Sequence, residues 1–311
     1  MWNNARRRNL TLTERLPVSP TLLLILYCLG IAGFSLVGGL LPNWIRMTHT
    51  RTQLVMSLVS GLMLGVAFYH LVPHSVALGA GPGGVDTTVW WLMVGLIVML
   101  LLLRVFHFHQ HDFSSEEGPQ HDPHQHAAHS HAGHSQDPAH TTGHNAPVHG
   151  LSWVGLAMGL GVHTLIDGVA LGAVMHAGSH DGGLLGIGVF LAILLHKPLD
   201  AMSIVTLMQA GGWSTRARMT ANLGFALLCP LGALLFYFGV DMVSDSRNHL
   251  VAAALAFSAG AFICIALSDL LPEVHFHSHD RGKLTLAFLL GIAIAYAIGS
   301  VEPAGIHLTT H

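Results

Sequence analysis

LSWVGLAMGLGVHTLIDGVALGAVMH (residues 151–176) and LLGIGVFLAILLHKPLDAMSIVTLM (residues 184–208) are each long and apolar enough to cross a bilayer, yet each carries polar groups at its middle. The first holds His163 and Asp167, the second His196, Lys197 and Asp200. About 20 apolar residues span the hydrocarbon core, and neither stretch shows period-two alternation, so both are expected to be transmembrane helices. A charged residue at the centre of such a helix costs about 2.5–3.5 kcal/mol on insertion scales. Asp167, Lys197 and Asp200 would together cost about 8–10 kcal/mol if simply summed. Such a cost persists only where the groups face one another, a cavity or an ion.

The rest of the chain fits the same class. Of 311 residues 51% are hydrophobic and 9% charged, with a mean hydropathy of +0.55, against roughly 25% charged in soluble domains. Eight spans are expected: Thr21–Leu41, Thr52–Val72, Val89–Phe106, Leu151–His176, Leu184–Met208, Met219–Val243, Val251–Leu271 and Leu284–Val301. The fold class is therefore all-α, a polytopic membrane protein whose main partner is the lipid bilayer. Glycines such as Gly155, Gly159 and Gly168 suit close helix approach in lipid. A formal net charge of −3 and no basic stripe argue against a nucleic-acid partner. Cys28, Cys229 and Cys264 stand singly in apolar runs and are expected to be small buried hydrophobes. The first span, preceded by Pro17 and Pro20, is read as a retained helix and not as a cleaved signal peptide.

The chain divides into an N-terminal tail (1–20), three spans (21–106), a polar segment (107–150), five spans (151–301) and a C-terminal tail (302–311). The polar segment holds twelve of the 25 histidines and few aliphatics, and is expected to be disordered and to bind metal weakly. The loops sharing its face carry Arg46, Arg51, Arg104, Arg216, Arg218, Arg281 and Lys283, against Arg247 in the loops opposite. That asymmetry predicts a cytoplasmic histidine-rich loop with both termini outside, and the expected location is the cell (inner) membrane. Arg6, Arg7, Arg8 and Arg15 of the tail pull the other way.

An internal repeat adds to the architecture. SGLMLGVAFYHLVPH (60–74) and AGAFICIALSDLLPE (259–273) align at one offset of 199 residues, pairing Gly61 with Gly260, Ala67 with Ala266, Leu71 with Leu270 and Pro73 with Pro272. The two helices are five passes apart and so run oppositely. Inverted repeats of this kind, here spans one to three against six to eight, typify transporters that hold substrate near the midplane. The repeat sets His70 and His74 at the outer end of span two against Asp269 and Glu273 at the inner end of span seven, with His275, His277 and His279 just beyond. These are expected to be weak stepping stones along a transport pathway.

In both central helices the histidine and aspartate stand at i and i+4, on one face and one turn apart. Two imidazoles and two carboxylates make a plausible tetrahedral set for a borderline-soft divalent metal such as zinc. Magnesium or calcium would recruit mostly oxygen. Pro198 removes a backbone donor and crowds the Leu194 carbonyl, loosening the helix beside the site.

HTLIDG and HKPLDA resemble the paired fourth- and fifth-span motifs of the ZIP metal transporters, and the span number, histidine-rich third loop and Leu-x-Pro sequences resemble that family over nearly the whole chain. The resemblance implies zinc, and in some members iron, manganese or cadmium, carried as substrate toward the cytosol without ATP or an organic cofactor. It places the primary metal on His163, Asp167, His196 and Asp200. Many members hold a second metal with an asparagine and a carboxylate where this chain has Thr164 and Lys197. A protonated lysine cannot ligate a cation, so Lys197 is expected to stand in as a fixed charge paired with Asp167 or Asp200, leaving one transport site.

Two other classes use the same residues. A membrane-embedded zinc hydrolase would need an open metal position for water, and the chain has neither HExxH nor GxSxG. A zinc-sensing receptor would need a partner-binding cytoplasmic domain, where only the polar loop is available. Monomer and homodimer both stay open at this level. Deleting Gly118–Ala146 should leave zinc uptake intact but change its response to high zinc; an unaltered response in a zinc-titrated uptake assay would reduce the loop to a spacer.

Overall fold

The computed structural model describes residues 19–44, 49–79, 83–105, 152–178, 186–243, 246–276 and 281–299, leaving aside the side chains of 42–44, 49, 152 and 269–276. The described residues form eight helices long and apolar enough to cross a membrane. The first is Pro20–Trp44. The second runs from His49–Val66 through a π-helical turn at Ala67–Leu71 into Val72–Leu78. The third is Gly84–Val105, the fourth Ser152–Ala177 and the fifth Ile187–Ala210. The sixth is Thr215–Gly239, closed by a 3-10 turn at Val240–Met242. The seventh is Arg247–Phe276 and the eighth Arg281–Gly299. No strand occurs among the described residues.

Two of these helices continue past a proline that lies at their expected C-terminal end. The second continues past Pro73 to Leu78, although a proline ordinarily ends a helix by clashing with the preceding turn. Here the wide π turn immediately before it, in which the Val72 N–H bonds to the Ala67 carbonyl, gives the ring room. Pro73 then falls in the first turn of the next segment, where a missing donor costs little. Ser75 Oγ, fully buried, donates to the Ala252 carbonyl at 2.8 Å and so holds this extension against the seventh span. The seventh span likewise carries on beyond Leu271, through Pro272, to Phe276.

Packing separates the spans into two groups. The first, fourth, fifth and sixth pack on one another, as do the second, third, seventh and eighth; the groups meet where the fourth lies on the seventh and the second on the fifth. Burial follows the repeat. The most apolar stretches of the second and seventh spans are 61% and 72% buried, those of the third and eighth only 17% each. Leu29, Trp90, Leu101, Leu235 and Tyr296 point outward, an arrangement suited to hydrocarbon and costly in water. Cys28, Cys229 and Cys264 are buried thiols, as expected.

The inverted repeat is visible as paired backbone contacts. A Cβ on Gly61 of the second span would collide with the Phe288 carbonyl of the eighth, and one on Gly260 of the seventh would collide with the Leu92 carbonyl of the third. Reciprocally, Gly291 abuts Leu58 and Gly95 abuts Phe257. Leu58 and Phe257 are again 199 residues apart, the offset read between the two sequences. The second–eighth and seventh–third crossings are therefore one helix pairing used twice. In lipid such backbone-to-backbone approach supplies the packing that water would otherwise drive.

On the face of the turns after the fourth and sixth spans, His176 Nε2 lies 3.1 Å from Asp241 Oδ1, and Arg247 pairs with the same carboxylate. This cluster joins the ends of the fourth and sixth spans to the start of the seventh.

Candidate metal centre

The fourth span carries its polar group midway, and so does the fifth, because i and i+4 positions stack on one helix face. The two faces meet. His196 Nε2 lies 3.1 Å from Asp167 Oδ2, and His163 Nε2 lies 3.4 Å from the same oxygen. Asp200 Oδ2 is 3.8 Å from His163 Nε2 and 3.9 Å from His196 Nε2. The imidazoles lie nearly face to face, with centroids 5.4 Å apart and planes 30° apart. His163, Asp167, His196 and Lys197 are buried, Asp167 completely; Asp200 is the most open of the five, its side chain 20% exposed.

One ligand atom each from His163, His196 and Asp200 lies within 4.8 Å of the other two. Asp167 touches both imidazoles but also holds Lys197, whose ammonium is 2.5 Å from Asp167 Oδ2 and 3.1 Å from Asp200 Oδ2. Lys197 thus pairs with both carboxylates and not with one alone. It donates as well to Thr164 Oγ1 at 3.1 Å, and the hydroxyl of Thr164 donates in turn to the Leu160 carbonyl at 2.7 Å. Thr164 and Lys197, the two positions singled out for a second metal, therefore form a hydrogen-bonded, positively charged contact.

With neutral imidazoles, two carboxylates against one ammonium leave the centre with an excess of negative charge. His196 Nδ1 is 2.7 Å from the Ala192 carbonyl, a group that can only accept, so Nδ1 carries the proton. In neutral imidazole this leaves a lone pair on Nε2, aimed at a carboxylate oxygen 3.1 Å away. Two acceptors facing at that distance repel, a repulsion that the Lys197 ammonium on the same oxygen eases and that a proton or a cation at Nε2 would remove. Backbone anchoring of Nδ1 is also how metal-binding histidines are commonly oriented. Asp167 Oδ1 and His163 Nδ1 are buried and have no hydrogen-bond partner among the described residues, so the cluster retains ligating capacity that the protein does not itself satisfy.

Residues from outside the two motifs complete the centre. The Lys197 ammonium stands 5.8 Å from the centroid of the Phe225 ring, on the sixth span, where the negative face of the ring adds a modest cation–π attraction. No spacing rule marks an aromatic residue on another helix for that role.

The expected pathway residues are only partly placed. His70 is buried in the π turn, its Nε2 donating to the Ala295 carbonyl at 2.9 Å, and it packs against Gly188 of the fifth span. Gly188 precedes His196 by eight residues, about 12 Å along a helix, so His70 is separate from the centre. His74 Nδ1 donates to the His70 carbonyl at 2.6 Å. Asp269, Glu273 and His275 lie on the seventh helix, with side chains outside the described residues; His277, His279 and the whole 107–150 segment lie outside them as well.

Comparison with known proteins finds similarity to zinc transporters. The family model described as "ZIP Zinc transporter" matches residues 20–299. Zinc transporter ZIP9-B of Xenopus laevis is 29% identical over 286 residues, covering 79% of this chain and 84% of its own. Zinc transporter ZIP9 of Macaca fascicularis is 37% identical over 130 residues, covering 40% and 54%. Zinc transporter ZIP10 of Mus musculus is 30% identical over 163 residues, covering 49% and 18%.

Because Asp167 is wholly buried beside Lys197, removing the ammonium leaves an uncompensated charge. Lys197→Met should destabilise the metal-free protein by about 3–5 kcal/mol, and added Zn2+ should restore much of that loss. Thermal unfolding in detergent, with and without Zn2+, checks both parts.

Proposed function

The chain belongs to the ZIP zinc transporter family, and on that premise we propose that it carries Zn2+ across the membrane through the centre between its fourth and fifth spans. Membership in a family of transporters sets aside the hydrolase and makes the chain a multi-pass membrane carrier, not an enzyme. The observation that carries the proposal is the convergence of His163, His196 and Asp200, within 4.8 Å of one another, in the middle of two apolar helices. Two imidazole nitrogens and a carboxylate oxygen suit a borderline-soft ion, and Asp167, beside both imidazoles, is the proposed fourth ligand. Iron, manganese and cadmium share enough of that preference to be secondary substrates.

Lys197 occupies the place of a second metal. Its charge holds Asp167 and Asp200 together when no ion is bound, and the site then takes one divalent cation. Asp200, being partly exposed, is the group an ion meets first or leaves last. Asp167 is the fixed countercharge. Metal moves toward the cytosol by alternating access, the centre opening to one face at a time. His70 and His74 serve on the outer side, and Asp269, Glu273, His275, His277 and His279 on the inner side. The loop arginines put the 107–150 segment in the cytoplasm and the termini outside.

Uptake of Zn2+ into proteoliposomes containing a zinc-sensitive dye tests the reading. The intact chain should fill the vesicles without ATP, whereas His163→Ala and Asp200→Ala should each cut the initial rate by at least about tenfold, as loss of a ligand-shell group commonly does. Flux indifferent to both substitutions would place the ion's route elsewhere.

A further inference from the structure

The centre is gripped from behind in the same way on both sides. Pro198 stands midway between His196 and Asp200, and Leu165 midway between His163 and Asp167. A glycine of a neighbouring span meets each of these middle residues: Gly38 of the first span against Pro198, and Gly232 of the sixth against Leu165. A Cβ on Gly38 would stand 2.5 Å from the Pro198 carbonyl oxygen and 2.7 Å from its carbonyl carbon. One on Gly232 would stand 2.5 Å from the Leu165 carbonyl oxygen and 3.3 Å from its Cα. In both cases the obstacle is main chain, which has no rotamer by which to move aside. The first and sixth spans correspond under the repeat, as the fourth and fifth do across its axis, so this is one contact made twice.

We infer that Gly38 and Gly232 are positioning residues that set the separation of the two ligand-bearing helices, and with it the size of cation the centre accepts. The inference rests on the transport reading above. Zinc bonded to nitrogen and oxygen at about 2.0–2.1 Å sets its tetrahedral ligand atoms about 3.4 Å apart, close to the 3.8 and 3.9 Å that separate Asp200 Oδ2 from the two imidazole nitrogens. The spacing of the two helices therefore already suits Zn2+, and the backbone behind them holds it there. A methyl group on Gly38 drives the fifth span toward the fourth; one on Gly232 drives the fourth toward the fifth. Either change narrows the centre and penalises Cd2+, the larger ion, more than Zn2+.

The same spans supply controls. A Cβ on Gly33 of the first span or Gly224 of the sixth meets nothing within 4 Å. The experiment measures uptake kinetics for Zn2+ and Cd2+ in proteoliposomes, alongside metal binding and thermal unfolding of each purified variant. Gly38→Ala and Gly232→Ala should each raise the KM for Zn2+ roughly tenfold, less than the hundredfold that a full 1 Å misplacement can cost, and lower the Cd2+-to-Zn2+ uptake ratio. Gly33→Ala and Gly224→Ala should match the intact chain. Folded Gly38→Ala and Gly232→Ala proteins with unchanged KM and ratio would overturn the inference. So would loss of fold in both, if the remaining folded fraction bound the two ions in the original ratio, since the glycines would then serve packing alone. An intact chain that moves no zinc would instead overturn the transport reading.

Discussion

Asp167 is an anion without solvent contact, set halfway along an apolar helix, and its compensation organises the residues around it. Hydrocarbon provides no hydration, so a carboxylate there survives only with positive charge and hydrogen-bond donors close by. Lys197 supplies a fixed charge at 2.5 Å, and the His163 and His196 rings lie against the same oxygen at 3.4 and 3.1 Å. His163 lies one turn before Asp167 on the fourth span, and His196 and Lys197 face it from the fifth. The compensation is incomplete, because Asp167 Oδ1 and His163 Nδ1 find no partner among the described residues. A structural ion pair would gain from closing that gap. On the proposed reading, a centre that binds a cation and releases it needs the gap kept.

Holding the two helices close enough is a backbone problem, and small residues solve it. The second span meets the eighth, and the seventh meets the third, through glycines whose Cβ atoms could not be accommodated. Around the centre the first and sixth spans press glycines onto Pro198 and Leu165. Both sets obey the inverted repeat, which places the His/Asp pairs of the fourth and fifth spans on either side of its axis. Symmetry of this kind gives a protein two related ways of packing the same helices, the geometric requirement for exposing one site to two faces in turn.

Much of this was legible in the sequence because the bilayer permits so few solutions. Length and apolarity marked eight spans, and two buried His-x-x-x-Asp pairs stood out against the cost of charge in lipid. The repeat was readable from Gly61 and Gly260 and reappears as matched helix crossings. What could not be read depends on atoms brought together from different helices. Pro73 looked like a helix end, yet a π turn at Ala67–Leu71 absorbs it. Lys197 was expected to pair with Asp167 or Asp200 and reaches both, because its Nζ lies between them. Phe225 and Gly38 bear no motif; only their distances to Lys197 and Pro198 reveal them.

The central claim is that one zinc ion sits among imidazole and carboxylate groups of the fourth and fifth spans. Zinc K-edge X-ray absorption addresses it directly, using protein lacking residues 118–146 and loaded with a single equivalent of Zn2+. The account predicts a nitrogen and oxygen shell at about 2.0–2.1 Å with outer-shell scattering from two imidazoles, both lost when His163 and His196 are replaced together by alanine. A sulfur shell near about 2.3 Å, or a spectrum unchanged by that double replacement, would contradict it.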